Sequence, residues 1–212
     1  MPAPIWATTN LGDANLGDHK GRPYKRNVVT FDPHKHHRRS IRLKGYDYSQ
    51  AGAYFVTICI NHGHPLLGEV LNGIMIPSPA GIMVAECWQG LTERFPNIEQ
   101  DVFSLMPNHF HGNLLILETG LNARQNPVVL GNMVGAFKSI STHQYIQGVQ
   151  EQGWEPFKKQ LWQRNFYERI IRNERELEAI RTYIINNPAN WHEGKLSPDA
   201  PPNKFNRDWQ RP

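Results

Sequence analysis

Two histidines separated by one residue, His109 and His111, sit in the stretch "SLMPNHFHGNLLIL" just before an apolar run. Side chains alternate along a strand, so residues two apart point the same way. On that reading His109 and His111 share a face and Phe110 takes the other. Two neutral imidazoles converging on one point are half of a metal site. The competing reading is two exposed histidines at a strand start.

A third ligand and a nucleophile stand together further on. In "RTYIINNPANW", Tyr183 and Asn187 are spaced i,i+4, one helical turn apart on one face. If that helix packs near the histidine strand, His109, His111 and Asn187 supply two imidazoles and an amide oxygen. This set suits Mg²⁺ or Mn²⁺ gripping a phosphate oxygen. Such a cation would polarise the phosphoryl group, and the Tyr183 hydroxyl could attack it. Tyr167 and Tyr145 compete, but Ile171 and Val149 stand one turn beyond them, and neither is a ligand type. A lone tyrosine is also a common packing residue. A second His-x-His, "NHGH", has Gly63 in its middle and Pro65 after it, which is turn chemistry. His62 and His64 therefore read as loop residues.

The elements that must position these groups follow from pattern. "GAYFVTICI" is rich in β-branched and aromatic residues and predicts a buried strand over Gly52–Ile60. "NHGHPLLGEVLNGIMIPS" reads as a turn, a short strand and a second turn. An apolar stripe bracketed by Pro79 and Pro96 predicts one helix between them. Asp101–Met106 and Phe110–Leu117 predict two strands joined by a tight Pro107-Asn108 turn. A second helix is expected over about Val128–Ile146. Leu161–Ile171 reads as a short strand or extended segment. The last helix is expected from about Glu174 to Asn186, with Asn173 as N-cap and Glu176 completing a box-like pattern. This order predicts an α+β fold, one antiparallel sheet with helices on one side.

The chain has 212 residues and a formal net charge of +4. The basic residues cluster: Lys20 to Lys44 holds nine Lys/Arg against one acid, Asp32. That is the footprint expected of phosphate contacts, or of a solvated tail. Residues 1–37 read as a flexible basic tail, 38–191 as the ordered domain and 192–212 as a loose C-terminal tail. Cys59 and Cys87 lie in apolar patterns without metal-type spacing, and read as small buried hydrophobes in a reducing compartment. No apolar run reaches the length of a membrane span and no signal-peptide pattern opens the chain, so a cytoplasmic protein is expected. No GxxxxGK[ST] loop occurs, so nothing calls for ATP.

Three blocks carry a family resemblance. "MPNHFHGNLLI" resembles the HUH motif (His, bulky hydrophobe, His) of single-tyrosine transposases. "RRSIRLKGYDYSQAGAYFVTICI" and "LWQRNFYERIIRNERELEAIRTYIINNPANW", in this order around it, are similar to REP-associated tyrosine transposases, relatives of the insertion-sequence-200 transposases. The resemblance spans roughly Arg38 to Trp191. It implies a ferredoxin-like HUH fold and a divalent-metal-dependent single-strand DNA endonuclease and strand transferase working through a 5′-phosphotyrosine. It implies His109 and His111 as metal ligands, Asn187 as the third, and Tyr183 as nucleophile. It implies palindromic hairpin DNA as partner, with contacts carried over to Arg38, Arg39, Arg42 and Lys44, and a monomer or homodimer. Trp162 and Phe166 are candidates for base stacking, or for the core.

Rival readings make separate demands. A histidine-triad hydrolase needs a third His at the next alternate position, which is Asn113. A catalytically silent hairpin-binding protein would shift DNA without cutting it. A replication initiator or relaxase with the same chemistry would usually come with partner domains.

Overall fold

The structure, a computed structural model, describes residues 42–43, 45–118, 129–203 and 205–206. The basic tail with Arg38 and Arg39, and Lys44 within the basic run, lie outside the described residues.

Four antiparallel strands form the main sheet in the order β4-β5-β1-β6. They are β1 (Gly52–Cys59), β4 (Ile98–Met106), β5 (His109–Ile116) and β6 (Tyr167–Ile171). A separate hairpin joins β2 (Gly68–Leu71) to β3 (Ile74–Pro77). The helices are α1 (Pro79–Gln89), α2 (Leu91–Arg94), α3 (Leu130–Gln152) and α4 (Glu174–Asn186). Without the hairpin and the short α2, the order is βαββαβα, and the sheet order is that of a ferredoxin-like fold.

Alternation along β1 divides the molecule. Tyr54, Val56 and Ile58 are fully buried in the main core, which also takes Trp88 from α1, Phe137 from α3 and Phe110 from β5. The ring centroids of Trp88 and Phe110 are 4.6 Å apart, and those of Trp88 and Phe137 5.5 Å. Gly112 makes room for this packing: a Cβ there would lie 2.5 Å from Trp88 Cζ2. Ala53 and Phe55 point the other way and pack with Leu177, Ile180 and Ile184 of α4. The expectation of helices on one side is therefore corrected. α1 and α3 cover one face and α4 the other, because β1 is apolar at both odd and even positions and offers two faces to bury.

Three further differences have local causes. The single helix expected between Pro79 and Pro96 starts as predicted, with Ser78 Oγ accepting from the Gly81 N–H at 3.1 Å, but breaks at Gly90 into α1 and α2. Gly disfavours a helix interior, and the Gln100 side-chain amide donates to the Trp88 carbonyl that the next turn would use. Asn72 (φ 52°) and Gly73 (φ 76°) form the left-handed two-residue turn of the β2–β3 hairpin, so a second strand follows where a turn was expected. α3 runs on to Gln152, where Gly153 at φ 71° caps it. The extension buries Gly148 against Trp154, which also packs edge-on to Tyr145. α4 begins and ends where the sequence places it, with Asn173 Oδ1 accepting from the Glu176 N–H at 2.9 Å.

Candidate active site

β5 presents His109 and His111 on the α4 face, with Phe110 turned into the main core. The register pairs His109 with Cys59 and His111 with Thr57 of β1. Both imidazoles are 2% exposed, which removes the reading of two surface histidines. Their Nε2 atoms meet at 3.1 Å. Each Nδ1 is held from behind: that of His109 lies 2.8 Å from Asn108 Oδ1, and that of His111 lies 2.9 Å from Thr57 Oγ1. Phe55 stacks on His111 at 5.3 Å between centroids, and Trp191 flanks His109 at 5.8 Å. Burial holds both histidines neutral. It pushes His111 down to about 3, and burial and then its neighbour His111 push His109 well below the usual range.

α4 brings the other half. Leu177, Ile180 and Ile184 seat it on the sheet, and Arg181 Nε donates to Asp101 Oδ2 of β4 at 2.8 Å. That docking turns Tyr183 and Asn187 into the cleft beside the histidines, and the Tyr183 hydroxyl stands 3.4 Å from His111 Nε2 of the same chain. The Tyr183 residue is 52% exposed. Enclosure of its hydroxyl raises its pKa above the usual value, and a hydrogen bond with the Asn187 side chain draws it back. The four residues expected to act together, His109, His111, Tyr183 and Asn187, all line one cleft of about 680 Å³.

The far wall comes from Trp191 and from the described part of the segment expected to be a loose tail, and for those residues the expectation is corrected. Trp191–Glu193 forms one turn of 3-10 helix, and Leu196, Ser197 and Asn206 are buried. Trp191 and Leu196 join Cys59 and Met106 in a small core of their own. Amide side chains do the closing. Asn203 Nδ2 donates to the Lys195 carbonyl at 2.8 Å and Asn206 Nδ2 to the Ala200 carbonyl at 3.0 Å. A polar, proline-rich composition hides such a wall because its order comes from side-chain-to-backbone bonds, not from apolar periodicity.

Other candidates fall elsewhere. Trp162 and Phe166 are 4% and 8% exposed and belong to the core; the Trp162 indole donates to Ser141 Oγ at 2.9 Å. The Arg42 guanidinium lies over the Phe166 ring at 5.1 Å and does not line the cleft. Tyr167 lies on β6 against Phe205, centroids 4.5 Å apart. His62 lies within a turn of 3-10 helix over Asn61–Gly63, and His64 caps its end. Cys59 and Cys87 are buried free thiols, pushed up by burial to about 12 and about 11. Asn108 and Thr57 are the site residues that sequence reasoning missed. Asn108 passed for a turn residue, and Thr57 is found only once the strand register is known.

Among the described residues no three His, Cys, Asp or Glu side chains gather as a metal cage. The donor set at this cleft is of a different kind, two imidazole nitrogens and the amide oxygen that Asn187 can offer. It fits a divalent cation on one structural ground. Both imidazoles are neutral, both direct Nε2 to one point, and both are anchored through Nδ1, which is how metal-binding histidines are held.

No family model matches the chain. An uncharacterized protein of Haemophilus influenzae is 35% identical over 181 residues, covering 77% of this chain and 95% of that protein. Among solved structures, that of a REP-associated tyrosine transposase bound to a REP hairpin superposes with a TM-score of 0.52 at 22% identity, covering 79% of this chain and 84% of that one. The sheet order, the helix behind the histidine strand and this likeness agree on the architecture. The chain thus belongs to one family with the Haemophilus influenzae protein, and its fold is that of the REP-associated tyrosine transposase.

Proposed function

We propose that this protein is a divalent-metal-dependent single-strand DNA nuclease and strand transferase that acts at hairpin-bearing DNA through a phosphotyrosine link. The observation that carries the reading is the Tyr183 hydroxyl 3.4 Å from His111 Nε2, in a cleft that also holds His109 and Asn187. The Tyr183 ring packs edge-on to Phe55, yet its hydroxyl is turned to a neutral histidine pair, a combination that phosphoryl transfer uses directly. The transposase that shares the fold is bound to a REP hairpin, which supports hairpin DNA as the partner here. The basic run with Arg38, Arg39, Arg42 and Lys44 supports phosphate contacts.

His109, His111 and Asn187 would hold the cation, which would polarise a phosphoryl oxygen. The chain's own residues do the rest. The α4 docking aims the Tyr183 oxygen at the phosphate. An Oη–P bond forms and the P–O3′ bond breaks; the phenol gives up one proton and the leaving 3′ oxygen gains one. The 5′ end stays on Tyr183, so the bond energy is kept and a 3′-OH can reverse the step or join a new end.

A labelled single strand carrying an imperfect hairpin, incubated with Mn²⁺ and run on a denaturing gel, tests this. A slow covalent band that disappears with chelator and in Tyr183→Phe is expected. A hairpin that shifts on a native gel, with no covalent band under any metal, would replace this reading with DNA binding alone.

A further inference from the structure

The turn before the histidines carries a fully buried polar side chain. Asn108 is 0% exposed. Its Nδ2 donates to two carbonyls, that of Gly63 at 3.1 Å and that of Leu196 at 3.0 Å. With Nδ2 so committed, the other end of the amide is the oxygen, and Oδ1 faces His109 Nδ1 at 2.8 Å. An amide oxygen can only accept. The proton of His109 is therefore drawn to Nδ1, and its Nε2 lone pair is left for the cleft. The backbone carbonyl of Asn108 in turn accepts from the Ile60 N–H at 2.8 Å, so the amide is fixed at its root.

The partner of His111 is different in kind. A threonine hydroxyl both donates and accepts, so Thr57 tolerates either tautomer of His111. Asn108 tolerates only one tautomer of His109.

We propose that Asn108 is a positioning residue with two arms: its oxygen locks His109 in the tautomer that offers Nε2 to the cleft, and its nitrogen locks the Leu196 segment as the cleft's far wall. The inference rests on the proposed metal-dependent reading for the use made of His109, but neither arm requires a DNA substrate. Residues on three separate segments meet at this one amide: Gly63 after β1, His109 at the start of β5, and Leu196 beyond α4. A structural filler needs none of that geometry, because an apolar side chain of equal volume would fill a buried turn.

The test uses the full chain with isotope-labelled histidine, in wild type, Asn108→Asp and Asn108→Ala, and Mn²⁺ alone as probe. Long-range proton–nitrogen spectra read which ring nitrogen carries the proton. Wild type is expected to carry it on Nδ1 of His109. Asn108→Asp keeps an acceptor there, so it should keep the Nδ1 proton and hold Mn²⁺ within a few fold. Asn108→Ala should move part of the population to Nε2 and weaken Mn²⁺ by about 10–100-fold. Both variants lose the donor to Leu196, so backbone amides around Leu196 should exchange hydrogen faster in both.

Wild-type His109 protonated on Nε2 overturns the proposal. So does an Asn108→Ala protein that keeps the wild-type tautomer and Mn²⁺ affinity, and unchanged exchange around Leu196 in Asn108→Asp overturns the second arm. If Asn108→Ala does not fold, wild type and Asn108→Asp decide, and loss of the Nδ1 proton in Asn108→Asp counts against the proposal. A wild type with the Nδ1 proton but no Mn²⁺ binding upholds the positioning role and sinks the metal-dependent reading.

Discussion

The Nε2 atoms of His109 and His111 lie 3.1 Å apart on one face of β5, while Phe110 between them packs on Trp88 through the other. One strand thus serves cleft and core on alternate residues. A change to either histidine acts on the cleft, and a change to Phe110 or Gly112 acts on stability.

Tyr183→Phe removes a hydroxyl from a half-exposed side chain and leaves the α4 packing residues untouched. The covalent adduct should vanish and strand cleavage fall below about a thousandth of wild type, as when a nucleophile is lost from a concerted set. Hairpin binding on a native gel should not change. An adduct that persists in this variant points to Tyr167.

Thr57→Val swaps the hydroxyl behind His111 Nδ1 for a methyl of similar size. Mn²⁺ binding, followed by calorimetry, should weaken about 10–100-fold, the usual cost of losing a partner behind a metal-binding histidine. Unfolding by urea should move far less. Equal Mn²⁺ affinity in Thr57→Val and wild type would show that the Nδ1 bond does not tune the site.

Stability should depend on pH in a window set by the buried histidines. Their folded pKa values are depressed by burial, His111 to about 3, against an ordinary imidazole value of about 6.5. Between those limits the unfolded chain binds the extra protons, so stability is full above about 6.5 and falls as the pH drops towards 3. The slope is at most about 1.4 kcal/mol per pH unit for each histidine. Asp101 and Glu176 are held below their usual values by Arg181 and by the Arg172 N–H with Arg169, and add the same sign only at lower pH. Glu168 is raised by burial and works in the opposite sense. Urea titrations at pH 7, 6 and 5 should show the loss, and His111→Gln should reduce it.

Gly112→Ala places a methyl 2.5 Å from the ring of the fully buried Trp88. Overpacking of this kind costs about 1–3 kcal/mol, read as a lower urea midpoint with unchanged slope. A variant as stable as wild type would mean that Trp88 moves aside at no cost.

Much of the site was legible because it rests on short-range geometry. The period of two puts His109 and His111 together, and the period of 3.6 puts Tyr183 above Asn187, whatever the rest of the fold does. α4 was legible end to end, since Asn173 caps it and Pro188 stops it. The side of the sheet that α4 takes was not legible, because Phe55 and Val56 are both apolar and neither face of β1 looks like the outside. Thr57 and Asn108 escaped for a related reason. Each meets its histidine through strand pairing or a tight turn, and their letters fit a strand and a turn equally well without one. The Asn72-Gly73 hairpin was written in the sequence and is the most direct signal overlooked.

The order of the parts along the chain sets when the cleft exists. Both imidazoles and the turn that orients one of them are made by residue 111, but Tyr183 follows more than a helix and a strand later, and the Leu196 wall later still. A nascent chain, or a fragment clipped after β5, carries the histidine pair without Tyr183. Assembly of this cleft is therefore a late event of synthesis, and incomplete chains lack it.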